Sequence, residues 1–211
     1  MSSHEDPSSE KTAEGVYGPG REVRRIDKGR LALTCVHELE GVTPEMMLWY
    51  FTHRTKERYQ MWHPAHADFR VVSQGGADHV GDVYWIDEIF ADGRRLDVKL
   101  LVVKAGLDEF AEKHLDRGQP GGISHRMEPT TGGTRVRTTA FFGSEGRVVG
   151  PLFNWYLRKS AYKRPVFEAA FLHMDDEFTR FPTFLPALFA DQKGDWMPRG
   201  ASTLAGSRSG V

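Results

Sequence analysis

His173 and Glu177 stand four residues apart in a stretch, Pro165 to Phe181, whose apolar residues recur with helical period. At about 100° per residue, Val166, Phe167, Ala170, Phe171, Met174, Phe178 and Phe181 share one face. Glu177 projects inside that apolar sector, and His173 lies at its margin. A carboxylate among apolar side chains must find a partner or take up a proton. Side chains four apart on a helix have Cβ atoms roughly 5–6 Å apart. An imidazole and a carboxylate so spaced can chelate one divalent cation, and zinc accepts both donors. The plainer alternative is a His–Glu hydrogen bond along the helix.

Further groups of the same chemistry lie upstream. Trp62-His63-Pro64-Ala65-His66 brings two imidazoles together after the aromatic residues Trp49, Tyr50, Phe51 and Tyr59. Pro64 disfavours helical geometry at His63, so a helix ends there and the turn is stiff. Val83 to Phe90 reads as a strand carrying two acids. Alternation puts Glu88 with Tyr84, Ile86 and Phe90, and Asp87 with Val83, Trp85 and Ile89. Both faces are apolar, so parity does not choose between the acids. His125 falls on another strand, as a cavity acid/base or as a hydrogen-bonded strand histidine. The lone cysteine, Cys35, excludes an internal disulfide and any multi-cysteine zinc site, and reads as a small buried hydrophobe.

These groups need a frame. The 211 residues suit one domain, with 39% hydrophobic and 27% charged residues. The net charge of -1 argues against a nucleic-acid partner. With no apolar run long enough to span a bilayer and no signal peptide, neither a membrane partner nor export is expected, and the cytoplasm is the default location. Residues 1–20 and 191–211 read as polar arms around one domain at 21–190. Leu31–Leu39 reads as a strand. Thr43 caps a helix with Pro44 at its first position, and a second helix covers Lys56–Trp62. Strands follow at Val71–Gln74, Val80–Phe90 and Leu96–Lys104, with a turn at Ala91-Asp92-Gly93. Asp108–Leu115 reads as a short helix broken by Gly121-Gly122, and Ile123–Glu128 with Thr134–Phe142 as a hairpin. From Gly150 the chain reads as helical to Phe181, with a kink or restart at Pro165 and a stop at Pro182. The order implies an α+β fold: a curved antiparallel sheet around a long C-terminal helix with a cavity between them, as in Bet v 1-like helix-grip proteins.

The histidine-proline turn in its aromatic setting, the strand acid and the late His-x-x-x-Glu together resemble the diacetylphloroglucinol hydrolase family, which includes phloretin hydrolase. The resemblance spans about residues 30–185. It implies a Bet v 1-like fold holding Zn2+ on His63, Glu88, His173 and Glu177, with Asp87 as the alternative strand ligand. It also implies His125 as the catalytic histidine and His66 as the residue orienting a substrate hydroxyl. The family's two substrate-binding tyrosines have no clear match, and Phe141 or Phe142 stands where one is expected. The implied reaction hydrolyses the carbon–carbon bond between an acyl group and a phenolic ring. Zinc serves there as Lewis acid or source of hydroxide, and His125 moves the proton. Trp49, Tyr59, Trp62 and Trp85 are candidates to line a pocket for the aromatic substrate. A homodimer is left open. The competing expectation is a metal-free helix-grip protein that holds a hydrophobic ligand or acts as a polyketide cyclase.

Overall fold

Strands hold more of the described chain than helices do. The computed structural model describes residues 13–90, 93–116 and 120–194. The strands are β1 (Gly15–Gly18), β2 (Arg21–Arg25), β3 (Leu31–Glu40), β4 (His66–Ser73), β5 (Val83–Ile89), β6 (Arg95–Ala105), β7 (Glu109–His114), β8 (Gly121–Pro129) and β9 (Gly133–Phe142). The helices are α1 (Pro44–Thr52), α2 (Lys56–Trp62), α3 (Gly150–Ser160) and α4 (Arg164–Gln192). All nine strands form one antiparallel sheet in the order β1-β2-β3-β9-β8-β7-β6-β5-β4. Six consecutive strands meander, and β9 closes onto β3, as hairpin connections allow.

The local reasons for these elements are visible. The Thr43 hydroxyl accepts from the Met46 amide and Pro44 sits in the first turn, so α1 begins where its cap lies. Thr55 caps α2 in the same way. His63, after α2, is extended at φ -151° and ψ 143°, the geometry that the following proline imposes. The β8–β9 register pairs Pro129 with Thr134. At Gly133 a Cβ would lie 1.9 Å from the Leu39 carbonyl oxygen, so close strand approach requires glycine there.

Three expectations are corrected. Residues 109–114 form strand β7, because pairing with both β6 and β8 overrides the helix-favouring Glu, Ala and Lys of this segment. β1 lies inside the expected N-terminal arm. At Pro165 the helix restarts as α4 after a break at 161–163, one of the two outcomes expected there. Pro182 does not stop α4, which continues through Pro186 to Gln192. Each interior proline costs about 3 kcal/mol. Phe181, Leu185 and Phe189 beyond them are all buried, and each such side chain returns roughly 1.5–3 kcal/mol. Residues 1–12, 195–211 and most of the expected Ala91-Asp92-Gly93 turn lie outside the described residues.

α4 crosses the inner face of the sheet, and the core divides along it. Phe167, Phe171 and Met174 pack with β2, β3 and β9. Phe178, Phe181, Leu185 and Phe189 pack with α1, α2 and strands β4 to β8. His173 and Glu177 occupy the boundary between these two apolar clusters.

Candidate functional site

Sheet register and helix period bring four donors together. His66 opens β4 and is the cross-strand partner of Glu88 on β5, so their side chains share the inner face. His173 and Glu177 face them from α4. One donor atom from each of His66, Glu88, His173 and Glu177 lies within 4.8 Å of the others, and His63, His66 and His173 form a second such group. His63 thus stands at the rim, beside His173 with ring centroids 4.4 Å apart and 3.6 Å from Asp176. His66 holds the place among the two glutamates and His173 that the resemblance assigns to His63. Asp87 points to the opposite face of β5, in a two-pronged ion pair with Arg95 at 2.6 and 2.8 Å, so Glu88 is the acid directed inward. Trp85 shares the face of Asp87 and donates to Asp97 at 2.7 Å, away from the cavity.

The hydrogen-bonding pattern of this group is incomplete in a telling way. His66 Nδ1 is 2.8 Å from the Tyr59 carbonyl oxygen, which only accepts, so Nδ1 carries the proton. In the neutral ring Nε2 then presents a lone pair to the Glu177 carboxylate 2.7 Å away. His173 Nε2 is 3.2 Å from Glu177 and 3.7 Å from Glu88, yet it is buried with no hydrogen-bond partner among the described residues. Tyr59 donates to Glu88 and stacks on His66 with centroids 3.9 Å apart. Burial works against ionising Glu177, but the adjacent His173 and His66 imidazoles outweigh it and hold the carboxyl below its ordinary range. Burial works equally against the His173 imidazolium, and Glu177 and Glu88 overcome it, raising its pKa. Two buried carboxylates, two imidazoles with nitrogens aimed at them and an orphaned nitrogen fit a divalent cation. Zinc suits this nitrogen and oxygen donor set.

The cluster opens on a cavity of about 260 Å³ between sheet and α4. Tyr59 and Trp62 line it, with Ile86, Leu100, Phe141 and Met174. Trp49 does not. His125 also lines it, 2% exposed, its ring stacked on Phe51 and Nδ1 3.0 Å from the Thr138 hydroxyl. Burial pushes its pKa down to about 3, which makes the resting ring neutral. Cys35 is buried against the Met174 sulfur, and burial pushes its thiol up to about 12, as suits a packing residue.

Sequence reasoning missed a second polar group on the cavity wall. Arg54 and Glu112 form an ion pair with both side chains 3% exposed. The Arg54 guanidinium lies over Tyr84, 4.7 Å from the ring centroid, and over Phe51, Phe69 and Phe110. The signal was present: read as a strand, Phe110, Glu112 and His114 alternate onto one face. Reading that segment as a helix hid it.

No described protein family matches the chain by sequence, and no curated protein matches it. Solved structures do. The KanY protein shares 16% identity at a TM-score of 0.53, over 74% of this chain and 98% of that one. A START superfamily protein from Mycobacterium smegmatis shares 11% at 0.52, over 75% and 98%. Ara h 8.0201 shares 12% at 0.50, over 74% and 99%. The fold is the helix-grip arrangement of Bet v 1-like and START-like proteins. At these identities the likeness defines the fold and leaves the chemistry to the site. No helix of the described residues is long and apolar enough to cross a membrane.

Two predictions test the polar groups. Arg54→Met leaves Glu112 buried and unpaired, and is expected to destabilise the fold by about 3–5 kcal/mol in urea unfolding. Arg54→Met/Glu112→Leu should recover most of that loss, and equal destabilisation by both variants would contradict the pairing. Because His125 has a folded pKa of about 3 against an ordinary 6.5, the unfolded chain takes up its proton first as pH falls. Stability contributed by its neutral form is therefore present above pH 6.5 and is lost as pH falls toward 3. His125→Phe keeps the ring against Phe51 and removes the titration. Its urea midpoint should decline less than that of the wild type between neutral and acid pH; parallel declines would show that His125 is not held neutral.

Proposed function

We propose that this protein binds one small, largely apolar organic molecule in the cavity between the sheet and α4. The observation that carries this reading is the cavity itself, about 260 Å³, walled by apolar and aromatic side chains with a few convergent polar groups. That volume lies just below the roughly 300–1,000 Å³ of drug-sized ligand sites, so a single-ring compound suits it. The polar groups on its wall favour a ligand with hydrogen-bonding substituents.

A second, sharper reading is favoured by the His66, Glu88, His173 and Glu177 cluster with its orphaned His173 nitrogen. It makes the protein a zinc-dependent hydrolase that separates an acyl group from a phenolic ring. His66, Glu88, His173 and Glu177, with His63 in reserve, would hold zinc, and it would supply Lewis-acid chemistry at the acyl carbonyl. The reaction breaks the bond between acyl carbon and ring carbon. The water oxygen goes to the acyl carbon, giving a carboxylic acid, and a proton goes to the ring carbon. Neutral His125 is a proton acceptor, and with Nδ1 taken up by Thr138, Nε2 is the nitrogen left to receive and return that proton. Tyr59 fixes Glu88, and the Tyr59 carbonyl fixes the ring of His66. Phe141 or Phe142, both of which line the cavity in place of a tyrosine, offers the ring a flat apolar contact rather than a hydroxyl.

One experiment separates the readings. Untagged protein is titrated calorimetrically with a 2-acylphenol and analysed for metal by elemental mass spectrometry, beside Ala170→Phe and His173→Ala/Glu177→Ala variants. Ala170 lines the cavity, so Ala170→Phe should weaken ligand binding at least about tenfold. About one zinc per chain in the wild type, absent from the double variant, together with hydrolysis of the acylphenol, supports the enzyme. Binding without metal, even after reconstitution with zinc, leaves the ligand-binding reading and removes the hydrolase. Unchanged binding by Ala170→Phe removes the cavity reading.

A further inference from the structure

Helix α3 is oriented the wrong way round for a helix at a protein–water boundary. Such helices turn apolar residues inward and polar residues outward. In α3, Asn154 points inward and is 2% exposed. Its side chain accepts from the Ser144 amide at 2.7 Å and donates to the Lys28 and Ser144 carbonyls, both at 3.0 Å. Arg158 likewise turns back to the Gly29 carbonyl. These bonds fix the rotation of the helix. The residues left facing outward are Leu152, Trp155 and Tyr156, at 68%, 51% and 59% exposure, in the i, i+3, i+4 positions of one stripe. Val148 and Val149, just before the helix, extend the stripe at 88% and 70%. Single exposed apolar residues are ordinary; a contiguous patch of five marks an interaction surface.

The charge of the segment identifies what it meets. Residues 146–167 contain five cations, Arg147, Arg158, Lys159, Lys163 and Arg164, and no Asp or Glu, in a chain whose net charge is -1. Arg164 is paired with Glu168, and Arg147 and Lys159 are exposed at the two ends of the apolar stripe. A second copy seated face to face would bring these cations against themselves. An apolar stripe with adjacent Trp and Tyr, bordered by Lys and Arg, has the composition of a helix lying in a lipid–water interface.

We infer that α3 docks this protein peripherally on anionic lipid bilayers, with Val149, Leu152, Trp155 and Tyr156 entering the headgroup–acyl boundary and Arg147 and Lys159 meeting lipid phosphates. This revises the sequence expectation of no membrane partner, for surface association and not for spanning. It is independent of the ligand reading. It does give that reading a geometry, because α3 leads through residues 161–163 into the first turns of α4, where Val166 and Ala170 line the cavity.

The test is co-sedimentation of the full chain with phosphatidylcholine vesicles, with and without phosphatidylglycerol, at low and high salt. The wild type should sediment with the anionic vesicles, and less so as salt screens the cations. Leu152→Ser/Trp155→Ser should bind at least about tenfold more weakly at an unchanged thermal midpoint, since both side chains are solvent-facing. Arg147→Glu/Lys159→Glu should lose the preference for phosphatidylglycerol. Equal sedimentation of wild type and Leu152→Ser/Trp155→Ser would overturn the inference. So would no vesicle binding together with self-association in sedimentation velocity that the same variant abolishes, which would assign the stripe to a second copy.

Discussion

Two carboxylates, Glu88 and Glu177, are buried at 7% exposure each where an all-apolar core would have been simpler to build. Their negative charge in a low-dielectric interior is the constraint around which the rest of the molecule is arranged. Each carboxylate has its own anchor: Glu88 receives the Tyr59 hydroxyl, and Glu177 faces His66 and His173. Tyr59 also presents its carbonyl to His66, so one residue of α2 orients both an acid and an imidazole. A purely structural solution would close every bond. Here the second imidazole, His173, keeps a buried nitrogen 3.2 Å from Glu177 with no formed hydrogen bond among the described residues, a demand that a proton or a cation would meet.

The length of α4 follows from the same constraint. A helix that interrupts its apolar face with His173 and Glu177 loses hydrophobic contact at its centre, and it must regain it on both sides. Phe167 and Phe171 anchor one half against β2, β3 and β9, and Phe178 through Phe189 anchor the other against α1 and α2. That second anchorage explains why the helix passes through Pro182 and Pro186, either of which would end a less well-buried helix. The cavity lies in the gap that the polar centre opens between these two clusters.

Local chemistry made much of this legible in advance. The cap at Thr43, the helix over Lys56–Trp62, the β8–β9 hairpin and the inward face of α4 all follow from short-range rules that the tertiary structure does not oppose. The strand identity of residues 109–114 was not legible, because it derives from two neighbouring strands and not from its own residues. The choice between Asp87 and Glu88 was equally closed to periodicity: both faces of β5 are apolar, and Arg95 on the adjacent strand decides it. The relative places of His63 and His66 depend on where β4 begins. The sequence reading starts that strand at Val71, whereas pairing with β5 starts it at His66 and turns that ring inward beside Glu88. The reversed face of α3 has no local signature, since its rotation is set by Asn154 and Arg158 meeting backbone groups far away in sequence.

The cavity is therefore chemically asymmetric, and its two polar regions make different demands on an occupant. The His66, Glu88, His173 and Glu177 group sets two carboxylates against two imidazoles and suits a cation or a proton. The Arg54–Glu112 pair is internally neutralised, so it gives an anion little net attraction, and its spare donors and acceptors suit a neutral hydroxyl or carbonyl. His125 adds a neutral imidazole whose burial resists protonation. An anionic ligand near it would raise its proton affinity. A molecule with a flat apolar body, a polar substituent and the capacity to develop negative charge on reaction meets all three conditions at once, and none of the three regions by itself would select it.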